Sequence, residues 1–399
     1  MKRVLVLQPS LQPPGGGSAV AAWILEALKD EYELHLFAWE AQNLPPVNRE
    51  YGTDLRPSDF ALHVVPATVR RVFRLAPIPL SLLRTHFLMG LGRRVVTDYD
   101  LVISVNNEAD FGRPGIQYVH FPWSYLPRPA CDLRWYHIPQ AIPVYQALCA
   151  RMSRFSMDGV RRNLTLVNSN WTGHMVREQC GVESTTLYPP VAGDFPAVSW
   201  ERRESGFLCV GRISPEKEIE KVIDIVGALR AGGHDVHLHL VGSGGGSYFR
   251  RIQRLARRHP DWVILEGRLS RGELVRLIAR HRYGIHGMSE EHFGMAVAEM
   301  MAGGCIVFVP RGGGQVEIVA GDERVTYVSR DDAVEKIRRI LVDPAAERAL
   351  RAQLTPRAAQ FRVERFIERI RAIVHDFCRE DECTTARYNG AHKRVTSSY

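Results

Sequence analysis

Residues 3–39 read RVLVLQPSLQPPGGGSAVAAWILEALKDEYELHLFAW, and this stretch decides the fold class. The apolar run at 3–9 predicts a short buried strand, and the glycines at 15–17 predict a loop after it. The helical pattern SAVAAWILEALKD and the strand pattern YELHLFAW follow. A strand–loop–helix–strand unit packs into a parallel sheet, so the sequence predicts an α/β protein.

The same alternation occurs on both sides of one irregular segment. Residues 188–205, YPPVAGDFPAVSWERRES, are proline-rich and predict a linker. Strand patterns before the linker end in polar residues, at the sheet edge where open α/β sheets bind ligands, and they cover 100–107, 116–122 and 164–170. After the linker the pattern restarts at GFLCVGR. The sequence therefore predicts two Rossmann-like domains in series, facing a central cleft.

Composition and charge narrow the class of protein. The 399-residue chain carries a net charge of +8, which favours an anionic partner such as a nucleotide or a lipid surface. Its seven cysteines are scattered without a CxxC pair, as in proteins of reducing compartments. No apolar run approaches the roughly 18 residues that a membrane span needs. We therefore expect a cytoplasmic protein. Any contact with the membrane is expected to be peripheral, on its inner face.

Two acidic residues flank an apolar helix pattern in the second half. Residues 290–304 read EEHFGMAVAEMMAGG, in which Gly294 begins a helix and Gly303-Gly304 ends it. Glu299 then lies on the helix, and Glu291 lies in the loop before it. Eight residues make a little over two helical turns, so both carboxylates can point toward one cleft. Carboxylates in such a place suit the hydroxyl groups of a sugar or a ribose.

Cations and free backbone amides accompany these acids. The helix start leaves the N–H groups of residues 293–295 unpaired, which favours an anion. In GRISPEK (211–217), Arg212 ends a strand and Lys217 opens the next helix. Taken alone, Arg212 or Lys217 is as typical of a solvated protein surface as of a binding site. Together with Glu291 and Glu299, the two cations predict a site for a diphosphate that carries sugar hydroxyls.

These motifs resemble those of the GT-B glycosyltransferases of family 4, whose hallmark is the Glu–x7–Glu element. Six segments stand in the family's order: VNSNWTGHM, LYPPV, GRISPEK, LVGSGGG, HGMSEEHFGMAVAEMMAGG and GGGQVEIV. Within the family, EEHFGMAVAEMMAGG and YVHFP resemble most the dolichol-pathway α-1,2-mannosyltransferases that use GDP-mannose. The resemblance implies an acceptor-side domain at 1–195, a donor-binding domain for the nucleotide sugar at 196–365, and a C-terminal helix with a mobile polar tail at 366–399.

The resemblance also implies a role for individual residues. Arg212 and Lys217 would hold the donor diphosphate, Glu299 the ribose and Glu291 the donor hexose. The remaining donor contacts are glycines and backbone positions: Gly16, Gly17, Gly242, Phe293, Gly294, Met295, Gly313 and Gly314. His120, in YVHFP, matches the family's active-site histidine and is predicted to be catalytic together with Glu291. Glu108, after VISVNN, is a weaker candidate for an acceptor contact.

Family 4 enzymes retain the anomeric configuration and need no metal. No Asp-x-Asp motif stands in a suitable loop of this chain, so cationic side chains would stabilise the departing diphosphate. We therefore expect neither a cofactor nor a metal. His237 and His239 share one face of the strand pattern HDVHLHLVG, but a metal site would need a third ligand that the sequence does not reveal. The pattern favours structural roles for both.

One segment of the first domain is both basic and apolar. Residues 69–97 hold six arginines, several large apolar side chains and no acid before position 98. Such a mixture can lie on an anionic bilayer, although two ordinary amphipathic helices fit it equally well. In the family the first domain binds the acceptor, so this composition favours a lipid-linked one.

Other classes of protein fit less well. A nicotinamide-dependent oxidoreductase would need G-x-G-x-x-G directly after the first strand. A nucleic-acid-binding protein would interleave aromatic residues with its basic runs, and no nucleic acid is expected as a partner. A non-catalytic subunit would not need all four charged residues of the donor site.

The sequence predicts a retaining transferase that moves a hexose, with GDP-mannose as the leading donor, to a glycan or lipid-linked acceptor. The alternatives are an epimerase of the same fold, and a UDP-sugar transferase acting on a small molecule or polysaccharide.

Overall fold

A computed structural model of the chain describes residues 1–13, 15–76, 80–124 and 139–395, with side chains as far as residue 379. Within these residues the first sheet has seven parallel strands in the order β3-β2-β1-β4-β5-β6-β7. The strands are β1 (Arg3–Leu7), β2 (Glu33–Ala38), β3 (Ala61–Val64), β4 (Leu101–Ser104), β5 (Ile116–Val119), β6 (Leu164–Val167) and β7 (Thr185–Thr186). The helices are α1 (Gly16–Leu28), α2 (Leu44–Tyr51), α3 (Ala67–Arg74), α4 (Ser81–Val95), α5 (Ile142–Ser153), α6 (Met157–Arg161) and α7 (Asn170–Cys180).

The second sheet has six parallel strands among the described residues, in the order β10-β9-β8-β11-β12-β13. The strands are β8 (Glu204–Val210), β9 (His237–Val241), β10 (Val263–Gly267), β11 (His281–Ile285), β12 (Ile306–Pro310) and β13 (Thr326–Tyr327). The helices are α8 (Ile219–Ala231), α9 (Gly246–Arg258), α10 (Arg271–Arg280), α11 (Met295–Ala302), α12 (Gln315–Ile318), α13 (Arg330–Val342), α14 (Pro344–Leu354) and α15 (Val363–Val395). Both sheets have the doubly wound order of a Rossmann domain, as the sequence predicts.

Two separate apolar cores hold the sheets. The core of the second sheet extends along the chain from Val191 to Phe361. The chain then crosses back, because one face of α15 packs into the core of the first domain. The residues of that face recur every four positions, as a helical stripe requires, and they are Phe366, Ile370, Val374 and Cys378. The last helix therefore packs against the first domain. The sequence alone does not reveal this contact.

One local prediction is wrong. The polar residues from Arg379 onward predict turns, but α15 continues to Val395. This stretch contains no proline and a single glycine, Gly390, so its polar residues are compatible with a helix. The predicted mobile end of the tail, 396–399, lies outside the described residues.

The basic segment at 69–97 forms parts of two helices, α3 and α4, and its residues 77–79 lie outside the described part of the chain. His86, Leu88 and Met89 of α4 are buried, so this helix packs one face on the domain. Among the described residues, no helix combines the length and the apolar character that a membrane crossing requires.

Candidate active site

Lys217 and Glu291 meet because their loops follow neighbouring strands. Strands β8 and β11 pair in parallel, so both end at the same edge of the second sheet. The loop after β8 ends in a 3-10 turn, Pro215–Lys217, and the loop after β11 contains Glu291. The parallel topology therefore places these two motifs at one end of the domain, as the sequence predicts.

The Glu291 carboxylate accepts two hydrogen bonds on one oxygen. Lys217 Nζ donates to Glu291 Oε2, and His286 Nε2 lies 3.0 Å from the same atom. Burial alone would raise the pKa of Glu291, but the hydrogen bond from His286 and the charge of Lys217 outweigh it and hold that pKa well below its usual range. The site thus holds an ionised carboxylate beside an ammonium group whose side chain is mostly buried.

Glu299 has a cation of its own. Its Oε1 accepts a hydrogen bond of 2.5 Å from Arg271 Nη1, at the start of α10. The other end of the same guanidinium donates to the carbonyl oxygen of Ala192, in the linker. The Glu–x7–Glu element therefore supplies two carboxylates, each neutralised by a partner that lies far away in sequence.

Arg212 has a different environment from Lys217. Its side chain is 67% exposed, and Nη2 lies 3.4 Å from Glu216 Oε1. Arg212 borders an open cavity of about 380 Å³ at the carboxyl ends of β8 and β9, together with Ser214 and Ser243. The two predicted diphosphate ligands therefore differ. Lys217 belongs to the buried ion pair with Glu291, whereas Arg212 is exposed and lines this cavity.

Glycines bring the loops of the site close together. Gly242 has φ +145°, and a Cβ there would lie 1.9 Å from the carbonyl oxygen of Gly211. A Cβ on Gly313 would lie 2.2 Å from the carbonyl oxygen of Glu291, which also accepts a 2.8 Å hydrogen bond from Gly314 N. These glycines are thus explained by close backbone packing. The Gly313-Gly314 loop fixes the backbone that carries Glu291.

The start of α11 follows the sequence prediction. Gly294 precedes the first helical residue, Met295, with φ +104°, a conformation that favours glycine. The Phe293 side chain is buried against Tyr188 and Phe361, so its contribution to the cleft is limited to its backbone. The helix therefore begins beside Glu291 with its first amide groups toward the loop.

The first domain contributes His120 and the start of α1. A Cβ on Gly17 would lie 3.1 Å from His120 Nε2, and one on Gly16 would lie 3.5 Å from Met295 Cγ. Gly16 and Gly17 therefore lie between His120 of the first domain and α11 of the second. The predicted cleft between the domains is lined by these residues.

His120 is held as a neutral imidazole. Burial lowers its pKa to about 4, and the contact of Nε2 with the Val105 carbonyl, at 3.1 Å, offsets this only in part. Asn107, in a left-handed conformation with φ +66°, accepts hydrogen bonds from the amides of His120 and Phe121. The strained Asn107 therefore positions the histidine, and sequence reasoning assigned it no role.

Glu108 is not an acceptor contact. Only 1% of the residue is exposed, and both carboxylate oxygens are engaged by Trp123 and Ser124. Burial raises the pKa of this carboxyl. Glu108 anchors the start of the loop after β5, and the prediction for this residue is corrected accordingly.

Glu317 joins the two domains at the cleft. Its oxygens accept hydrogen bonds from the backbone of Asn170 and Trp171, at 2.9 and 2.8 Å, and from the hydroxyl of Tyr188 at 3.0 Å. Asn170 and Trp171 open α7, where a carboxylate also complements the helix dipole. Although GGGQVEIV is a recognisable motif, this use of its glutamate was not predicted.

Phe121 and His292 form a second contact between the domains. Their rings stack with centroids 4.2 Å apart, and the carbonyl of His292 accepts a 2.6 Å hydrogen bond from Ser169 Oγ. The loop that carries Glu291 is therefore in direct contact with the loops that follow β5 and β6. Interdomain contacts thus hold both sides of the cleft near His120.

Comparisons with known proteins agree with this architecture. The family described as Glycosyl transferases group 1 matches residues 195–361. A GDP-Man:Man(3)GlcNAc(2)-PP-Dol alpha-1,2-mannosyltransferase of Neurospora crassa is 27% identical over 208 residues. That alignment covers 44% of this chain and 37% of the relative, so the chain matches well under half of the relative's length.

Two solved structures share the whole architecture. Anabaena HepE, crystallised with UDP and glucose, superposes with a TM-score of 0.66 at 17% identity, covering 94% of this chain and all of that one. The sucrose-phosphate synthase of Thermosynechococcus elongatus gives a TM-score of 0.69 at 16% identity, covering 94% and 99%. The chain therefore has the GT-B fold, and its second domain is similar to the family described as Glycosyl transferases group 1.

Proposed function

We propose that this protein is a retaining glycosyltransferase that moves a hexose from a sugar nucleotide to a hydroxyl group of a glycan or lipid-linked acceptor. The observation that carries the proposal is the ion pair of Lys217 with Glu291, supported by His286, in the cleft that also contains His120. This arrangement offers a cation for a diphosphate and a carboxylate for sugar hydroxyls within one site. Membership of family 4 belongs to the same proposal.

The ion pair suggests how the donor is received. A diphosphate that approaches Lys217 competes with Glu291 for the ammonium group. When Lys217 turns to the phosphate, Glu291 is left ionised and free to accept hydrogen bonds from the hexose. Arg212, which is exposed at the adjacent cavity, can add its fork of donors to the same diphosphate, and the nucleoside would occupy the cavity.

The chemistry then needs no protein base. The bond from the anomeric carbon to the phosphate oxygen breaks, and the acceptor oxygen forms the new bond on the same face of the sugar. The acceptor proton passes to the leaving phosphate oxygen. Lys217 and Arg212 stabilise the negative charge of the diphosphate in place of a divalent ion, and neutral His120 provides a hydrogen bond to the hexose without adding positive charge.

The leading donor is GDP-mannose. The relative from Neurospora crassa is named for GDP-mannose and a dolichol-linked acceptor, which supports this choice. A UDP-sugar is the second candidate, favoured by the UDP found in HepE. The donor-site residues Lys217, Glu291 and Glu299 serve either nucleotide, because they would contact the diphosphate, the hexose and the ribose.

A ligand screen tests the proposal. Thermal unfolding is measured with GDP, UDP and ADP and with their sugars, and a ligand at 100 times its dissociation constant stabilises the native state by about 2.7 kcal/mol. We expect stabilisation by GDP and GDP-mannose. The stabilising donor is then incubated with lipid-linked and soluble glycans, and released nucleotide is quantified. Conversion of the sugar without release of nucleotide would support an epimerase and contradict the proposal.

An anionic membrane surface is proposed as a further partner of the first domain. Helix α5 exposes an apolar stripe at Val144, Leu148 and Met152, which are 61%, 63% and 44% exposed. Helix α5 packs beside α4, which carries part of the basic segment at 69–97. Apolar side chains next to arginines are typical of a surface that lies on anionic lipid.

Charge reversal tests this partner. Arg71, Arg74 and Arg94 are changed to glutamate, and sedimentation with vesicles of phosphatidylglycerol and phosphatidylcholine is compared with that of the wild type. The matched control reverses Arg254, Arg257 and Arg258 on α9, in the second domain. We expect only the first triple variant to lose vesicle binding. Equal binding by both variants would contradict a membrane role for the segment.

A further inference from the structure

Four metal-ligating side chains converge in the second domain, away from the cleft. Each of the four residues offers one ligand atom, these atoms all lie within 4.8 Å of one another, and the residues are Glu204, His237, His239 and His281. The Nε2 atoms of His237 and His281 are 3.2 Å apart. Glu204 Oε2 lies 3.5 Å from the first of these atoms and 3.6 Å from the second.

The parallel sheet creates this cluster. Glu204 opens β8 opposite His281 of β11, and His237 of β9 is in register with Gly206 of β8. His239 lies two residues after His237 and therefore on the same face. A Cβ on Gly206 would lie 2.2 Å from His237 Nε2, so the missing side chain provides the space into which this imidazole extends.

Neighbouring groups orient the ligands toward a common centre. Nδ1 of His239 lies 2.6 Å from Glu266 Oε1, and Nδ1 of His281 lies 2.8 Å from the carbonyl oxygen of Leu277. Both contacts leave Nε2 for the cluster. Arg280 binds Oε1 of Glu204 and leaves Oε2 for the cluster. Carboxylate and carbonyl partners of this kind orient the histidine ligands of metal sites and fix their tautomers.

We propose that Glu204, His237, His239 and His281 bind a zinc ion. Tetrahedral zinc with bonds of about 2.0–2.1 Å separates neighbouring ligand atoms by about 3.3–3.4 Å. The three measured separations among Glu204, His237 and His281 are close to this value, and His239 completes the set. Three imidazoles and one carboxylate favour zinc over magnesium or calcium, which prefer oxygen ligands alone.

The zinc site is structural. Glu204 lies at the amino end of β8, whereas the donor site follows the carboxyl end of this strand, about 20 Å away for six steps of extended chain. A bound ion would link three adjacent strands, β9, β8 and β11. Because the unfolded chain cannot hold these ligands together, zinc binding stabilises the folded domain. The inference is independent of the proposed transferase activity.

Metal analysis of the full-length protein tests the inference. Protein freed of metal with a chelator is incubated with zinc, desalted and analysed by mass spectrometry for metal content, and thermal unfolding is recorded with and without zinc. We expect about one zinc per chain and a higher melting temperature. Cobalt in place of zinc is expected to give the visible absorption of a tetrahedral site.

Two ligand variants and one control make the result specific. His239→Gln and Glu204→Gln are expected to weaken zinc affinity by at least about tenfold, whereas His63→Gln, in a histidine pair of the first domain, leaves it unchanged. Circular dichroism of each variant confirms that it is folded. Absence of stoichiometric zinc from the wild type, or equal affinity in the ligand variants and the control, would overturn the assignment.

Discussion

Lys217 donates a hydrogen bond to Glu291, and this contact joins the loops that follow two adjacent strands of the second sheet. The pair is only 17% and 16% exposed at its side chains, so its charges interact in a poorly solvated place. An ion pair of this kind leaves a ligand-free site neutral. In the proposed function, a bound diphosphate replaces the carboxylate as the partner of the ammonium group.

Glu299 is predicted to recognise the ribose and not the phosphates. Glu299→Gln keeps the shape of the side chain but removes its charge. We expect the affinity for the bound nucleoside diphosphate to fall by at least about tenfold, because a hydrogen bond to a charged group contributes about 1.5–3 kcal/mol. Inorganic pyrophosphate, which lacks the ribose, is expected to bind the variant and the wild type equally. Calorimetric titration of both ligands checks this, and equal losses for the two would place Glu299 at the phosphates.

His120 is predicted to be neutral throughout the neutral pH range. Its pKa of about 4 lies below the ordinary value of 6.5 because the imidazole is buried. An NMR titration of the histidine ring signals is therefore expected to show one resonance, absent from His120→Gln, with a midpoint near 4. A midpoint near 6.5 for this resonance would show that the ring is solvated and not held in the cleft.

The lowered pKa of His120 also makes the free energy of unfolding depend on pH. Between pH 6.5 and 4, the unfolded chain protonates this histidine while the folded protein does not. The folded state thus binds fewer protons, and the contribution of neutral His120 to stability is present above pH 6.5 and lost as the pH falls toward 4. Unfolding by urea at several pH values is expected to show a smaller loss across this range in His120→Gln than in the wild type.

Glu317 is predicted to stabilise the contact between the domains. Glu317→Gln would replace an acceptor of three hydrogen bonds with an amide whose NH₂ group cannot accept, which we expect to cost about 1–3 kcal/mol of unfolding free energy. Glu323→Gln is the matched control, since Glu323 is 81% exposed and pairs with Arg311 of the same domain. Urea unfolding measures both variants. Equal stability of the two would remove Glu317 from the interdomain contact.

The sequence predicts the fold because its signals are local. A buried strand followed by glycines and a helix, as at 3–39, defines one unit of a parallel sheet, and repetition of the unit gives both domains. Glu291 and Glu299 are found in the same way, because only eight residues separate the loop before α11 from the helix itself. The packing of α15 on the first domain has no such local signal, since its apolar stripe can serve any partner.

The partners of the predicted residues could not be read from the sequence. Arg271 lies 28 residues from Glu299, and only the fold brings its guanidinium to the carboxylate. The zinc ligands show the same limit, because His237 and His239 reveal one face of a strand while His281 is supplied by another. His286 had a usable signal: like His120, it directly follows a buried strand at the carboxyl edge of a parallel sheet.

Calorimetric titration of GDP and UDP into the wild type, Lys217→Ala and Lys221→Ala tests the central claim most directly. Lys221 is the matched control, because it is a lysine four residues later, in α8, that pairs with Glu218. We predict that Lys217→Ala weakens the tighter of the two nucleotides at least about tenfold, or about 1.4 kcal/mol, while Lys221→Ala changes its affinity less than about twofold. Equal affinity in Lys217→Ala and the wild type, or no binding of either nucleotide to the wild type, would contradict the account.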